Sequence, residues 1–143
     1  MSTTGGDDKM DRLECFYVAA AQVLQRLLET FPEPVLLDSQ AVLQEMAAIY
    51  PECGVRGGPG HPGHNLVSWT ARFLIDEGYV RAGDIRGPTF VGCTLTSKGL
   101  AALNRPLEAL DPKPTLGRRL LDAGKLIAPD VAGAVIGRMI APC

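Results

Sequence analysis

Between Met10 and Thr30, hydrophobic residues recur every three or four positions, a spacing that predicts an amphipathic α-helix. The apolar positions are Leu13, Phe16, Ala20, Val23, Leu24, Leu27, Leu28 and Phe31. Gln22, Gln25 and other polar residues fill the opposite side, and prolines just after Thr30 end the helix. Residues 1–9 are polar and glycine-rich, so we expect a disordered leader there.

Two short elements and a long loop follow this helix. Residues 35–37 predict a short strand, and Asp38 or Ser39 caps a second helix that runs to about Ile49. Residues 51–63 hold five glycines and three prolines, a composition that predicts a long loop without regular structure.

The middle of the chain predicts a third helix, a β-hairpin and a short fourth helix. The predicted bounds are 64–77 for the third helix, 79–81 and 89–95 for the strands, 82–88 for the turn and 98–103 for the fourth helix. Gly78 is well placed to end the third helix, because glycine readily adopts the left-handed conformation found after helix C-termini.

The last third of the chain predicts a proline-rich linker over residues 105–114 and two helical segments, 115–127 and 130–140. The two helical segments are largely apolar and must be shielded from water. We expect them to form a homodimer through a set of regularly spaced side chains. The oligomerisation candidates are Leu116, Leu120, Ile127, Val131, Val135 and Met139. The alternatives are packing within its own chain and binding to a membrane surface.

The order of elements resembles the winged helix-turn-helix family of bacterial DNA-binding domains. The segments that carry the resemblance are LIDEGYV at 74–80, FVGCTLT at 90–96 and LTSKGL at 95–100. It covers residues 10–104 and implies an α+β fold: a winged-helix-like domain of three helices and a two-stranded wing, with residues 115–143 as a C-terminal helical extension.

In that family the third helix enters the major groove of double-stranded DNA and the wing touches the backbone. On a helical wheel, Asn65, Ser68, Arg72 and Asp76 form one polar stripe on the third helix. Asn65, Ser68 and Arg72, with Arg81 and Arg86 on the wing, are therefore the DNA-binding candidates. The same narrow stripe is also expected of a largely buried helix that reaches solvent along one edge.

Charge weakens the DNA interpretation without removing it. The net charge is −2, and residues 10–104 carry seven basic against ten acidic residues. Residues 105–143 carry six against four. Any phosphate contact must therefore come from a local patch. The acidic balance and the apolar third helix favour the alternative, a protein-interaction or assembly module that keeps the winged-helix scaffold without binding DNA.

The four cysteines form no close pair, and without an export signal we expect reduced thiols in a cytoplasmic protein. Cys53, His61 and His64 could contribute to a zinc site, but a structural site needs four ligands, so we expect no metal or cofactor. No orienting residue accompanies a nucleophile and base, so we expect no enzyme. No apolar run is long enough to span a membrane.

Overall fold

The computed structural model describes residues 11–54, 65–108, 111–125 and 127–140. Over these ranges the chain is an α+β protein with six α-helices, a short 3-10 helix (Pro51–Cys53) and antiparallel strands. The helices are α1 (Arg12–Thr30), α2 (Ser39–Ile49), α3 (Leu66–Asp76), α4 (Ser97–Leu103), α5 (Leu116–Asp122) and α6 (Pro129–Ile140). The strands are β1 (Val35–Asp38), β2 (Val80–Arg81), β3 (Asp84–Arg86), β4 (Thr89–Leu95), β5 (Pro106–Glu108) and β6 (Asp111–Thr115). Among the described helices, none has the length and apolar composition that crossing a bilayer requires.

Helix α1 is the central element of the fold, and α3, α5 and α6 pack around it. Every residue from Val18 to Gln25 is buried, so this stretch is covered on all sides. Gln22 and Gln25, on the predicted polar side of the helix, are therefore buried. Their side-chain amides can be buried because they donate hydrogen bonds to backbone carbonyl oxygens. Gln25 Nε2 donates to the carbonyl oxygens of Leu120 at 2.7 Å and Gly124 at 2.6 Å.

Strand β4 is the centre of a four-stranded antiparallel sheet, with β1 on one edge and β2 on the other. Strand β3 also pairs with β4, in the same register as β2: Val80 lies opposite Leu95, and Asp84 lies opposite Val91. The predicted hairpin is therefore present. Its turn is shorter than the predicted 82–88, because β3 occupies part of that range.

The C-terminal helices fold back onto α1 of the same chain. Most of the side chains predicted to mediate oligomerisation are fully buried there, at 0 % exposure: Leu116, Leu120, Ile127, Val135 and Met139. Val131 is half-buried. Packing within one chain, the alternative considered above, therefore accounts for the apolar pattern of this segment. Helix α5 is shorter than predicted, since the chain turns at Gly124, which has a positive φ of 73°.

Residues 105–114, predicted to be a linker, include strands β5 and β6, which pair antiparallel. Prolines are compatible with such a ribbon, because edge positions need no amide donor. Beside the ribbon, the Leu116 amide donates to the Arg105 carbonyl oxygen at 2.8 Å. The Arg105 guanidinium donates to the carbonyl oxygens of Arg138 and Met139 at 3.2 and 3.3 Å. These bonds fasten α5 and α6 to the end of α4.

Candidate functional site

Helix α3 begins with a side-chain cap that also binds α2. The Oδ1 of Asn65 accepts a hydrogen bond from the Ser68 amide at 3.0 Å, which makes Asn65 the N-cap. Its Nδ2 donates to Ser39 Oγ at 3.1 Å and to Gln40 Oε1 at 3.4 Å. Ser39 Oγ donates in turn to the Pro88 carbonyl oxygen at 2.6 Å. Asn65, a predicted DNA contact, thus joins α3, α2 and the turn between β3 and β4.

The outward face of α3 carries both charged and aromatic side chains. The inward face is formed by buried Val67, Thr70, Ala71 and Leu74. Opposite them, Arg72 and Asp76 are exposed and Ser68 is half-buried. Trp69 and Phe73 lie on the same outward side, 62 % and 37 % exposed. The predicted polar stripe is therefore present in part, and two rings lie beside it.

An aromatic contact joins α3 to α1. Phe73 packs edge-to-face against Phe16, with ring centroids 5.4 Å apart and an interplanar angle of 87°. Leu13, one turn before Phe16 on α1, is 56 % exposed. Half-buried Phe16 therefore connects exposed Phe73 on α3 to the start of α1, where Leu13 is exposed.

The wing, defined as β2, β3, β4 and the turn at Gly87 and Pro88, holds the two remaining arginine candidates. Arg81 is exposed and makes no hydrogen bond or ion pair with the described residues. Arg86 Nε donates to Asp84 Oδ2 at 2.8 Å in an exposed ion pair. Arg86 can leave this pair at little cost, because exposed ion pairs contribute only ~0–1 kcal/mol.

Cys53 is bonded to Cys15, so the expectation of reduced thiols is wrong at both positions. Their Cα atoms are 5.5 Å apart, and each residue is 2 % exposed. A disulfide sulfur is not a thiolate, so Cys53 cannot serve as the predicted zinc ligand in this state. His61 and His64 lie outside the described residues. Across the described ranges, no group of three or more His, Cys, Asp and Glu side chains could hold a metal ion.

Two features of this region were not predicted from the sequence. The Asn65 cap could have been read from its position before an apolar helical run, but its bond to Ser39 depends on how α2 meets α3. The Cys15–Cys53 bond joins residues 38 positions apart, and no spacing rule signals such a pair.

The outward face of α3 and the wing expose Arg72 and Arg81, which make no hydrogen bond or ion pair with the described residues. A guanidinium group is a donor that suits phosphate oxygens and base edges. Asp76 and Glu77, exposed at the C-terminal end of α3, repel anions there. Comparisons of the chain with protein-family models, with curated proteins and with solved structures find no match.

Proposed function

We propose that the chain is a winged-helix protein that binds double-stranded DNA through α3 and the wing, as a transcriptional regulator in the cytoplasm. The winged-helix assignment is supported by the order α1, β1, α2, α3 followed by a hairpin. It is also supported by the sheet order, in which β1 and β2 flank β4.

The exposed edge of α3 is the observation that carries the proposal. Arg72 lies near the middle of this edge and makes no hydrogen bond or ion pair with the described residues. Recognition helices contact bases mainly through their N-terminal residues. Asp76 and Glu77 lie at the opposite, C-terminal end of α3.

We also propose that the chain forms a homodimer, which would present two copies of α3 to two half-sites on the DNA. The side chains predicted to form its interface are mostly buried within one chain. Dimerisation stays a prediction, and light scattering of the full chain measures it directly.

Fluorescence anisotropy with a labelled duplex of mixed sequence tests DNA binding. We expect binding at micromolar protein in ~50 mM salt, with a shallow salt dependence because few phosphates are neutralised. R72A/R81A should weaken binding and reduce the salt slope by about two, since each arginine contacts one phosphate. The matched control R118A/R119A removes two exposed arginines from α5 and should bind as the wild type does. Absence of wild-type binding, or equal loss in both variants, contradicts the proposal.

A second candidate function is a protein-interaction module on the same scaffold. The exposure of Trp69 and Phe73 beside Asp76 favours it, because aromatic residues are enriched in protein interfaces. This function needs no phosphate contact. It therefore predicts that the wild type and R72A/R81A are equally inert toward duplex DNA.

A further inference from the structure

The hydroxyl of Ser39 lies where α2, α3 and the wing meet. Ser39 is the first residue of α2 and is fully buried, at 0 % exposure. Its Oγ donates to the Pro88 carbonyl oxygen at 2.6 Å and accepts from Asn65 Nδ2 at 3.1 Å. A hydroxyl has one hydrogen and two acceptor lone pairs, so it can make both bonds at once. A buried hydroxyl thus connects the start of α3 to the wing.

The Pro88 carbonyl is a firmly held end of this chain of hydrogen bonds. It also accepts a bond from the Ser39 amide at 2.9 Å. The next residue, Thr89, pairs with Asp38 of β1 and with Arg86 of β3. Because the start of β4 is held by both of these strands, a bond to Pro88 is a bond to the sheet.

The directions of these bonds fix the orientation of the Asn65 amide. The Pro88 carbonyl oxygen can only accept, so the Ser39 hydroxyl hydrogen points toward it and leaves the hydroxyl oxygen to accept from Asn65. The Ser68 backbone amide can only donate, and it reaches Asn65 Oδ1 at 3.0 Å. The Asn65 amide satisfies both neighbours in one orientation, with its nitrogen toward Ser39 and its oxygen toward Ser68.

These contacts also engage the donor hydrogens of Asn65. Its side-chain nitrogen carries two hydrogens. One is directed to Ser39, and the other to Gln40 Oε1 at 3.4 Å. An asparagine that recognises adenine needs an amide hydrogen as well as the amide oxygen. In this conformation the donor that base recognition requires is therefore used within the protein.

We propose that Ser39 and Asn65 are positioning residues that hold the start of α3 at a fixed distance from the wing, so that both elements meet one DNA duplex. This role rests on the proposed function, and in it Asn65 acts through Ser39 and contacts no base. Arg86 lies two residues before Pro88, so the same bonds place a wing arginine relative to Arg72 on α3. Burial supports the role, because a satisfied hydrogen-bond network shielded from water rigidifies the elements that it joins.

Duplex affinity tests whether the two residues act as a unit. S39A removes the hydroxyl, whereas N65S removes the amide donor and keeps a helix cap, because serine caps helices about as well as asparagine does. Each variant should weaken binding to the labelled duplex about three- to tenfold, the range of one lost hydrogen bond. S39A/N65S should bind no more weakly than S39A, since the second change removes a bond that the first has already broken. Losses that multiply, or wild-type affinity in either single variant, overturn the proposal.

A measurement without DNA separates this link from the proposed function. In proton–nitrogen correlation spectra of the full chain, N65S should shift the backbone amide signals of Gly87 and Thr89 at the wing turn. The same substitution made in the S39A background should leave these signals unchanged, because the connecting hydroxyl is gone. Q40A is the matched control: it also removes an acceptor of the Asn65 amide, but an exposed one outside the chain of bonds to the wing, and it should leave both signals in place.

Absence of DNA binding and failure of the link give different results. If the wild type does not bind the duplex but N65S shifts the wing-turn signals through Ser39, the proposed function fails and the positioning role stands. If N65S leaves those signals unchanged, or shifts them equally in the S39A background, the positioning role is overturned whatever the DNA result. Should far-ultraviolet circular dichroism show that S39A does not fold, the comparison of N65S with Q40A decides. A wing-turn shift in N65S alone supports the role, and an equal response in both overturns it.

Discussion

At the scale of single residues, Gly99 shows how closely α4 approaches the start of the wing. A Cβ at this position would overlap the Tyr79 carbonyl oxygen and lie 3.1 Å from the carbonyl carbon. That carbonyl also accepts a hydrogen bond from the Thr96 amide at 3.0 Å, so it cannot move away freely. Because the contact is with backbone atoms, a larger residue at this position should destabilise the fold.

We therefore expect G99A to lower the free energy of unfolding by about 1–3 kcal/mol, the usual cost of overpacking. The matched control is G137A on α6, where an added Cβ meets nothing within 4 Å. That variant should be unchanged or slightly more stable, because alanine favours a helix over glycine. Urea unfolding measures both, and equal stability of the two variants would contradict the contact at Tyr79.

Cys93 gives a prediction about pH. Burial raises the pKa of its thiol from 9.0 to about 11. Between these values the unfolded chain loses the proton and the folded chain keeps it, so the free energy of unfolding falls as the pH rises. The fall is at most about 1.4 kcal/mol per pH unit. Urea unfolding at pH 8 to 10.5 should show a steeper decline for the wild type than for C93A, and identical slopes would refute this assignment.

At the scale of elements, Gln25 attaches α1 to the end of α5. Its amide donates to two carbonyl oxygens at the C-terminal end of α5, those of Leu120 and Gly124, and the Leu120 oxygen also accepts from the Ala123 amide at 3.2 Å. Q25L fills similar volume but removes both bonds, so we expect a loss of about 1–3 kcal/mol in the free energy of unfolding. Q44L, at an exposed position of α2, should lose far less. A comparable loss of stability in Q25L and Q44L would mean that the two hydrogen bonds of Gln25 make no specific contribution to stability.

Gln25 also shows what sequence alone could and could not predict. Periodicity predicted the bounds of α1, α2 and α4 to within about two residues, because caps and prolines are local signals. It could not show that glutamines on α1 are buried, since their partners lie about a hundred residues later in the chain. The strands in 105–114 were missed for a related reason: prolines argue against strands unless the pairing partner leaves their edge open.

The candidate functional site also combines features that the sequence could predict with features that it could not. Exposure of Arg72 and Asp76 followed from the helical wheel, because buried and exposed positions on a helix repeat with a fixed period. Trp69 and Phe73 are apolar residues of the same helix, yet both are partly exposed. Which apolar residues remain uncovered depends on where α5 and α6 dock, and that is decided by the whole fold.

At the scale of the whole molecule, the C-terminal helices complete the core around α1. A chain ending at Asn104 loses the buried side chains of α5 and α6 and uncovers the face of α1 that they contact. We expect this truncated chain to lose cooperative urea unfolding and native circular dichroism, because the exposed apolar surface costs roughly 25 cal/mol per Å². Native unfolding of the truncated chain, together with a lower oligomeric state by light scattering, would instead support the predicted oligomerisation segment.

The distribution of charge over the molecule gives the last prediction. The formal net charge is −2, so DNA attraction must come from local placement and not from overall charge. D76N/E77Q removes two exposed carboxylates from the end of α3, and E29Q/E33Q removes two exposed carboxylates at and just beyond the end of α1. Both variants make the same change in net charge. Charges are screened over a Debye length, about 8–10 Å, so a change on α3 itself has the larger effect: D76N/E77Q should tighten duplex binding by roughly five- to tenfold at low salt, and by more than E29Q/E33Q does. An equal gain in both variants would show that overall charge, and not the α3 surface, governs the interaction.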